Sequence, residues 1–322
     1  HLLRGAIANP SGDPGKGRSC LEKAAATATD QRTPLRYVDA VSHSVVSLTD
    51  LGPLDDAERT ARELCRWVDN ELMGSASDRL RCRMISRGVL GGQPLLQKGL
   101  LDPSIARESL ALLQDALDCA HELNDPHETA RDASQIVLWS ALHDCTNAVH
   151  EAAKARDELD RLPGRARESE QYVRGALFLA CYRALILGLP IPANPLRLPL
   201  PDSPGWLRAV SLKYRGTLRA ADGDGAAAST DFAEGSRIIR RETTPILSFI
   251  GATAALQAGE SLRSCGVSGW RDFLYEARYE FTALVPVLHG IHRDPGWLKR
   301  TEGLLRGTSS HDLPHPQRRY RY

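Results

Sequence analysis

Strand signals are what this sequence most lacks. No stretch alternates apolar and polar residues with Val, Ile or Thr enrichment, which excludes an all-β or βαβ architecture. Net charge is nearly absent too: 41 basic against 40 acidic residues leave +1, so nothing drives the chain toward nucleic acid or an anionic membrane. Lysine is rare among those bases (Lys16, Lys23, Lys98, Lys154, Lys213 and Lys299), an arginine and alanine bias that reads as genome composition rather than function. The 7 cysteines are scattered, with no C-x-x-C pair and an odd total. Cys65, Cys119, Cys145 and Cys181 fall inside apolar helical patterns, so reduced, buried thiols of a cytoplasmic protein are expected instead of a disulfide framework. No run reads as a membrane span. The most apolar, Gly175 to Pro192, is broken by Arg183 and ends in prolines, as a buried helix would. No signal peptide opens the chain, and it begins at His1 instead of Met, so its N-terminus reads as a cut from something longer.

What is present is helical periodicity. In 322 residues, 42% hydrophobic and 25% charged, there is room for one large or two ordinary domains with a sizeable core. From Ser104 to Leu123, the residues Leu110, Leu113, Leu117 and Ala120 recur at three- and four-residue steps and predict one apolar face. Asp102-Pro103 marks the start as a capping carboxylate with proline in the first helical position. Asp125 and Pro126 repeat the device, with Glu128 placed for a capping box and Ile136, Leu138, Trp139 and Leu142 following. Similar patterns predict helices over 20–30, 34–49, 55–73, 77–90, 146–162, 166–188, 206–221, 225–240, 246–264 and 269–289. The expected class is all-α.

Two stretches break the helices at length. Residues 5–18 are rich in Gly and Pro, and residues 1–18 read as a flexible N-terminal segment. Residues 189–205 hold six prolines (190, 192, 195, 199, 201 and 204) and read as a semi-rigid linker between helical lobes at 19–188 and 206–308. An internal echo suggests repetition. PGWLRAVSLKYRGT (204–217) matches PGWLKRTEGLLRGT (295–308) at seven of fourteen positions, each preceded by a capping Ser203 or Asp294. Gly216 and Gly259 lie 43 residues apart, and each is followed seven residues later by a turn glycine, Gly223 or Gly266. A helical hairpin repeating at this length, with small residues where its helices cross, is a solenoid unit that buries its apolar face against its neighbours.

Segment 206–240, with Gly216 and Ala220 in a first helix and Ala227 and Phe232 in a second, resembles a tetratricopeptide-type repeat. Segment 104–162 resembles two more degenerate helices of this kind. The stretch from Ala277 to Leu305 is similar to the end of the tetratricopeptide-like tails of actinobacterial signal-transduction ATPases and LuxR-type large regulators. The resemblance implies a right-handed superhelix that binds or senses a protein partner, and it carries over no catalytic residue.

The remaining motifs are weak. GDPGKGRS (12–19) has the look of a phosphate loop but places Pro10 where the first glycine belongs, follows Lys16 with Gly17 and lacks a preceding strand. His121, His127, His143 and His150 cluster with Cys119, Asp125, Asp144 and Cys145, yet His143 and His150 stand about 10 Å apart along a helix, too far to share an ion. No metal site or other cofactor is expected. Asp55-Asp56 and Asp157/Asp160 sit beside Arg59 and Arg161 and read as ion-paired solvated faces. The basic and aromatic end at 309–322, closing on HPQRRYRY, reads as a disordered tail that is thin support for nucleic-acid binding.

Together these features predict a non-enzymatic scaffold for a protein or peptide partner, acting as a regulatory arm in bacterial signalling or transcription control. Trp206, Lys213, Tyr214, Arg215 and Trp297 are the candidate contacts on its first helices. The alternative is an all-α enzyme or small-molecule binder with a cavity between its lobes, near the histidine cluster.

Overall fold

A computed structural model describes residues 34–51, 54–99, 102–162, 167–187, 189–190, 200, 206–239, 245–284 and 296–309. The expected N-terminal segment 1–18, the phosphate-loop look-alike, the helix at 20–30, the tail beyond 309 and nearly all of 189–205 lie outside the described residues. Every regular element among the described residues is helical. By packing, the chain forms two compact units. One holds the chain up to Trp139 together with His150–Glu170; the other holds Ser140–Val149 and the chain from Gln171 onward. The chain passes between the units inside three helices, at 139/140, 149/150 and 170/171.

The first unit opens with α1 (Pro34–Leu51), α2 (Leu54–Asn70) and α3 (Ala76–Leu90), which pack on one another. Their apolar stripes meet in a cluster that includes Val38, Val45, Leu64, Val68 and Leu90, all buried. Asp55 and Asp56 sit in the first turn of α2, where carboxylates favour the positive end of the helix dipole. Ser75 caps α3 by accepting a hydrogen bond from the Asp78 backbone N–H.

At its C-terminal end α3 does something the periodicity did not signal. It runs on into a π-helical turn, Gly91–Leu95, and a last α-turn, Leu96–Lys98. Pro94 inside the turn has no N–H to give the Leu90 carbonyl, so the regular ladder cannot continue there. The Gly91 carbonyl accepts a hydrogen bond from the buried Ser109 hydroxyl at 2.8 Å, tying the wide turn to α4 (Pro103–Glu122).

The capping expected for α4 and α5 (Pro126–His143) is present: Asp102 accepts from the Ser104 N–H at 2.8 Å, and Asp125 from the Glu128 N–H at 3.2 Å. The Glu128 side chain pairs with Arg131. The buried stripe of α4 is turned from the one that its leucines suggest. Ala106, Ser109, Leu113, Ala116, Cys119 and Ala120 are buried, whereas Leu110 and Leu117 are only half-buried. The reason is the close packing of α4 on α3 and the π-turn, which small side chains allow. Helix α6 (Ala148–Asp160) follows; its residues from His150 belong to the first unit.

The second unit contains most of α7 (Arg167–Leu187), then α8 (Trp206–Ala221), α9 (Gly225–Ile239), α10 (Pro245–Ser264), α11 (Trp270–Leu284) and α12 (Gly296–Leu305). Helices α8 and α9 pair, as do α10 and α11; α8 also packs on α10, and α12 on α11 and α10. Both hairpin turns use glycine in the left-handed region, Gly223 at φ +87° and Gly266 at +68°, where a side chain would be strained. Gly216 lies under the Phe232 ring and Gly259 under the Leu274 side chain, so each first helix carries a glycine where its partner helix presses a large residue onto it. The echoed pair Gly216 and Gly307 differ in role. Gly216 is mid-helix and buried, whereas Gly307, at φ +94°, ends α12.

Candidate functional site

The first unit holds a cleft of about 270 Å³ between α4, α5 and α6. Its floor is apolar: half-buried Leu117 from α4, with Ala133 and Ile136 from α5. Its wall is one face of α6, where Glu151, Lys154, Asp157 and Glu158 recur at helical spacing and Arg161 follows the helix end. Lys154 pairs with Glu151 at 2.9 Å and Arg161 with Glu158 at 2.9 Å. Asp157 is exposed and has no ion-pair partner among the described residues. These pairs are solvated and worth little in stability. What they do is fix the rim, and Asp157 is the charge left over.

His121 stands on the cleft rim, and it alone of the histidine cluster lines the cleft. His121, His127 and His150 are exposed. Among the described residues no group of three or more His, Cys, Asp or Glu side chains is placed to hold a metal ion. Cys65, Cys82, Cys119, Cys145, Cys181 and Cys265 form no disulfide, and all but the half-buried Cys265 are buried. Burial raises the Cys65 thiol above its usual pKa, Cys82 to about 12 and Cys119 to about 11. These three are therefore poor nucleophiles. No described helix is long and apolar enough to cross a membrane.

Of the two acidic motifs, Asp55-Asp56 resolves into ion pairs and Asp157/Asp160 does not, among the described residues. Asp55 meets Lys98, Asp56 meets Arg59 at 2.7 Å, and Arg62 joins Glu58 of its own helix to Glu108 of α4. Arg161 chooses Glu158 over the Asp157 and Asp160 that the sequence put beside it. A buried carboxylate stands apart from these. Asp132 of α5 is 1% exposed, and its Oδ1 accepts from the Arg131 guanidinium at 3.0 Å, while its buried Oδ2 has no hydrogen-bond partner. Burial outweighs the neighbouring cation and pushes this carboxyl up to about 6.

The candidate contacts predicted for the second unit are mostly interior. Lys213 is fully buried; its Nζ donates to the Gly251 carbonyl at 3.2 Å and lies 3.6 Å from Glu276. Trp297 is 1% exposed and stacked on Phe281, with ring centroids 6.1 Å apart. Tyr214 is half-buried against Ala209, Leu212 and Ile238. Arg215 is half-buried and, with Arg219, clamps the buried Asp231 at 2.7–3.0 Å. These polar residues tie helices together from within, which a reading of helix amphipathicity does not foresee. The Trp206 side chain lies outside the described residues.

The sequence named Leu117, His121, Ile136, Asp157 and Arg161 in separate patterns but did not bring them together as a site. The spacing of charges from Glu151 to Arg161 was visible, but only packing places the under-used Leu117 opposite them. No family model, no curated protein and no solved structure matches this chain.

Proposed function

We propose that the chain is a non-enzymatic scaffold for a peptide or protein partner, serving as a sensing or regulatory arm in bacterial signalling or transcription control. In this reading the cleft between α4, α5 and α6 takes an apolar side chain of the partner, with a neighbouring Lys or Arg of that partner meeting Asp157. The observation that carries it is the make-up of the cleft: an apolar floor of three residues beneath a charged rim in which one carboxylate lacks a mate. Its volume of about 270 Å³ has room for a single anchoring side chain.

The second unit supports the scaffold reading independently. Two hairpins with a glycine at the same place beneath the partner helix, and with first helices packed on each other, are what a tetratricopeptide-type stack with a right-handed superhelix requires.

An array of octapeptides pairing one apolar residue with Lys or Arg, followed by fluorescence anisotropy on the best binders, tests the proposal. Leu117→Gln and Asp157→Lys are each expected to weaken binding by about tenfold, or about 1.4 kcal/mol. Binding that ignores both substitutions refutes the cleft as the site. A stoichiometric small molecule co-purifying in the cleft would move the reading to a ligand-binding protein.

A further inference from the structure

Helix α11 separates its charges in an unusual way. Its core side is Leu274, Ala277, Phe281 and Leu284. Its carboxylates Glu276 and Glu280, one turn apart, flank that core beside the buried Lys213: Glu276 lies 3.6 Å from the lysine Nζ, and Glu280 senses the charges of both. The two glutamates that would ordinarily balance the arginines of this helix are therefore drawn inward.

The outward stripe is left with Arg271, Tyr275, Arg278 and Tyr279, which fall within about 100° of arc on a helix. Tyr275 is 54% and Tyr279 74% exposed, two of the few large hydrophobic side chains that stand in solvent among the described residues. They sit at i and i+4, one turn apart on the same face. Arg278 has no ion-pair partner among the described residues, and Arg271 stacks on the Trp270 ring at 4.5 Å without one. Asp272 at the edge of the stripe is the one acid close to it, and the stripe stays net basic. Tyrosine and arginine are the residues that protein interfaces concentrate, because each offers a large rigid contact at small entropic cost.

We infer that the outer face of α11 is a docking surface for an acidic segment of a partner protein, one that lays apolar groups over Tyr275 and Tyr279 and offers carboxylates to Arg271 and Arg278. Seven residues separate the arginines, so the two carboxylates stand about 10 Å apart along the segment. With two arginines and a net charge of +1 on the whole chain, the face lacks the run of cations that a nucleic-acid backbone demands. This surface is distinct from the α4–α6 cleft and asks for the opposite charge.

The test is selection of random dodecapeptides on the full chain, with counter-selection on an Arg271→Glu/Arg278→Glu variant and, in parallel, anisotropy of labelled (dT)12. All four positions are exposed, so circular dichroism of that variant and of Tyr275→Ala/Tyr279→Ala should match the parent. The expected result is enrichment of Asp- and Glu-rich peptides whose affinity drops at least tenfold in either double variant and is unchanged by Leu117→Gln. Peptides with no acidic bias, or acidic peptides indifferent to both double variants, overturn the inference. So does (dT)12 binding that the arginine substitutions abolish, which would make this a nucleic-acid face.

Discussion

Replacing Asp132 with Asn should change how the stability of the first unit depends on pH. The carboxyl is buried in α5, and its proton affinity is set mainly by lost hydration, which the adjacent Arg131 only partly offsets. Its pKa rises from 3.8 in an exposed chain to about 6 in the fold. The folded state therefore holds a proton that the unfolded state has released between those values, and stability falls as pH rises through that window. The stabilisation is fully present below pH 3.8 and lost above about 6, a change worth about 3 kcal/mol at 1.36 kcal/mol per pKa unit. Asp132→Asn removes the titration while keeping an acceptor for the Arg131 guanidinium. Urea unfolding followed at 222 nm, for parent and variant from pH 4 to 7.5, gives the difference in stability at each pH. Parent minus variant should decrease by about 2.4 kcal/mol between pH 4 and 7.5, whatever the offset between the two. A difference that is flat, or that increases with pH, refutes the burial argument.

Other substitutions separate the packing claims. Gly216→Ala puts a methyl within 2.6 Å of the buried Phe232 ring and should cost about 1–3 kcal/mol in thermal unfolding, despite alanine's better helix propensity. Gly88→Ala in α3 meets its nearest neighbours at 3.8–3.9 Å and should stabilise by about 0.5–1 kcal/mol. Lys213→Met and Lys213→Ala both remove the cation beside Glu276, but only alanine also empties the volume of the buried stem, so Lys213→Ala should be the less stable of the two by about 2–5 kcal/mol. Arg263→Met removes the guanidinium that donates to the Leu304, Gly307 and Thr308 carbonyls at the end of α12. Amide exchange should then quicken in α12 and not in α8.

The helices were legible because their signals are local. Asp102-Pro103 and Asp125-Pro126 start helices where capping chemistry requires, and Gly223 and Gly266 turn the chain where a positive φ is needed. The π-turn at Gly91–Leu95 escaped because its cause is shared: Pro94 breaks the ladder locally, but Ser109 of another helix makes the break affordable. The site was less legible still. Lys213 and Arg215 look like surface residues on a helical wheel, and only the neighbouring helices supply Gly251, Glu276 and Asp231 to bury them. Leu117 looked like core, yet the tight approach of α3 to Ala116 and Ser109 rolls α4 and leaves Leu117 facing the cleft. Amphipathic patterning tells which residues avoid water on average; which helix covers them is decided by side-chain volumes far away in sequence.

The most direct measurement is a methyl-labelled sample of the full chain, with Ala, Ile and Leu methyls observed by NMR, titrated with an octapeptide carrying one apolar residue beside an arginine. The scaffold reading expects the Leu117, Ala133 and Ile136 methyls to shift together and saturate at one peptide per chain, and to need about tenfold more peptide when Asp157 is replaced by Lys. Saturable binding that leaves those three methyls unmoved would contradict it.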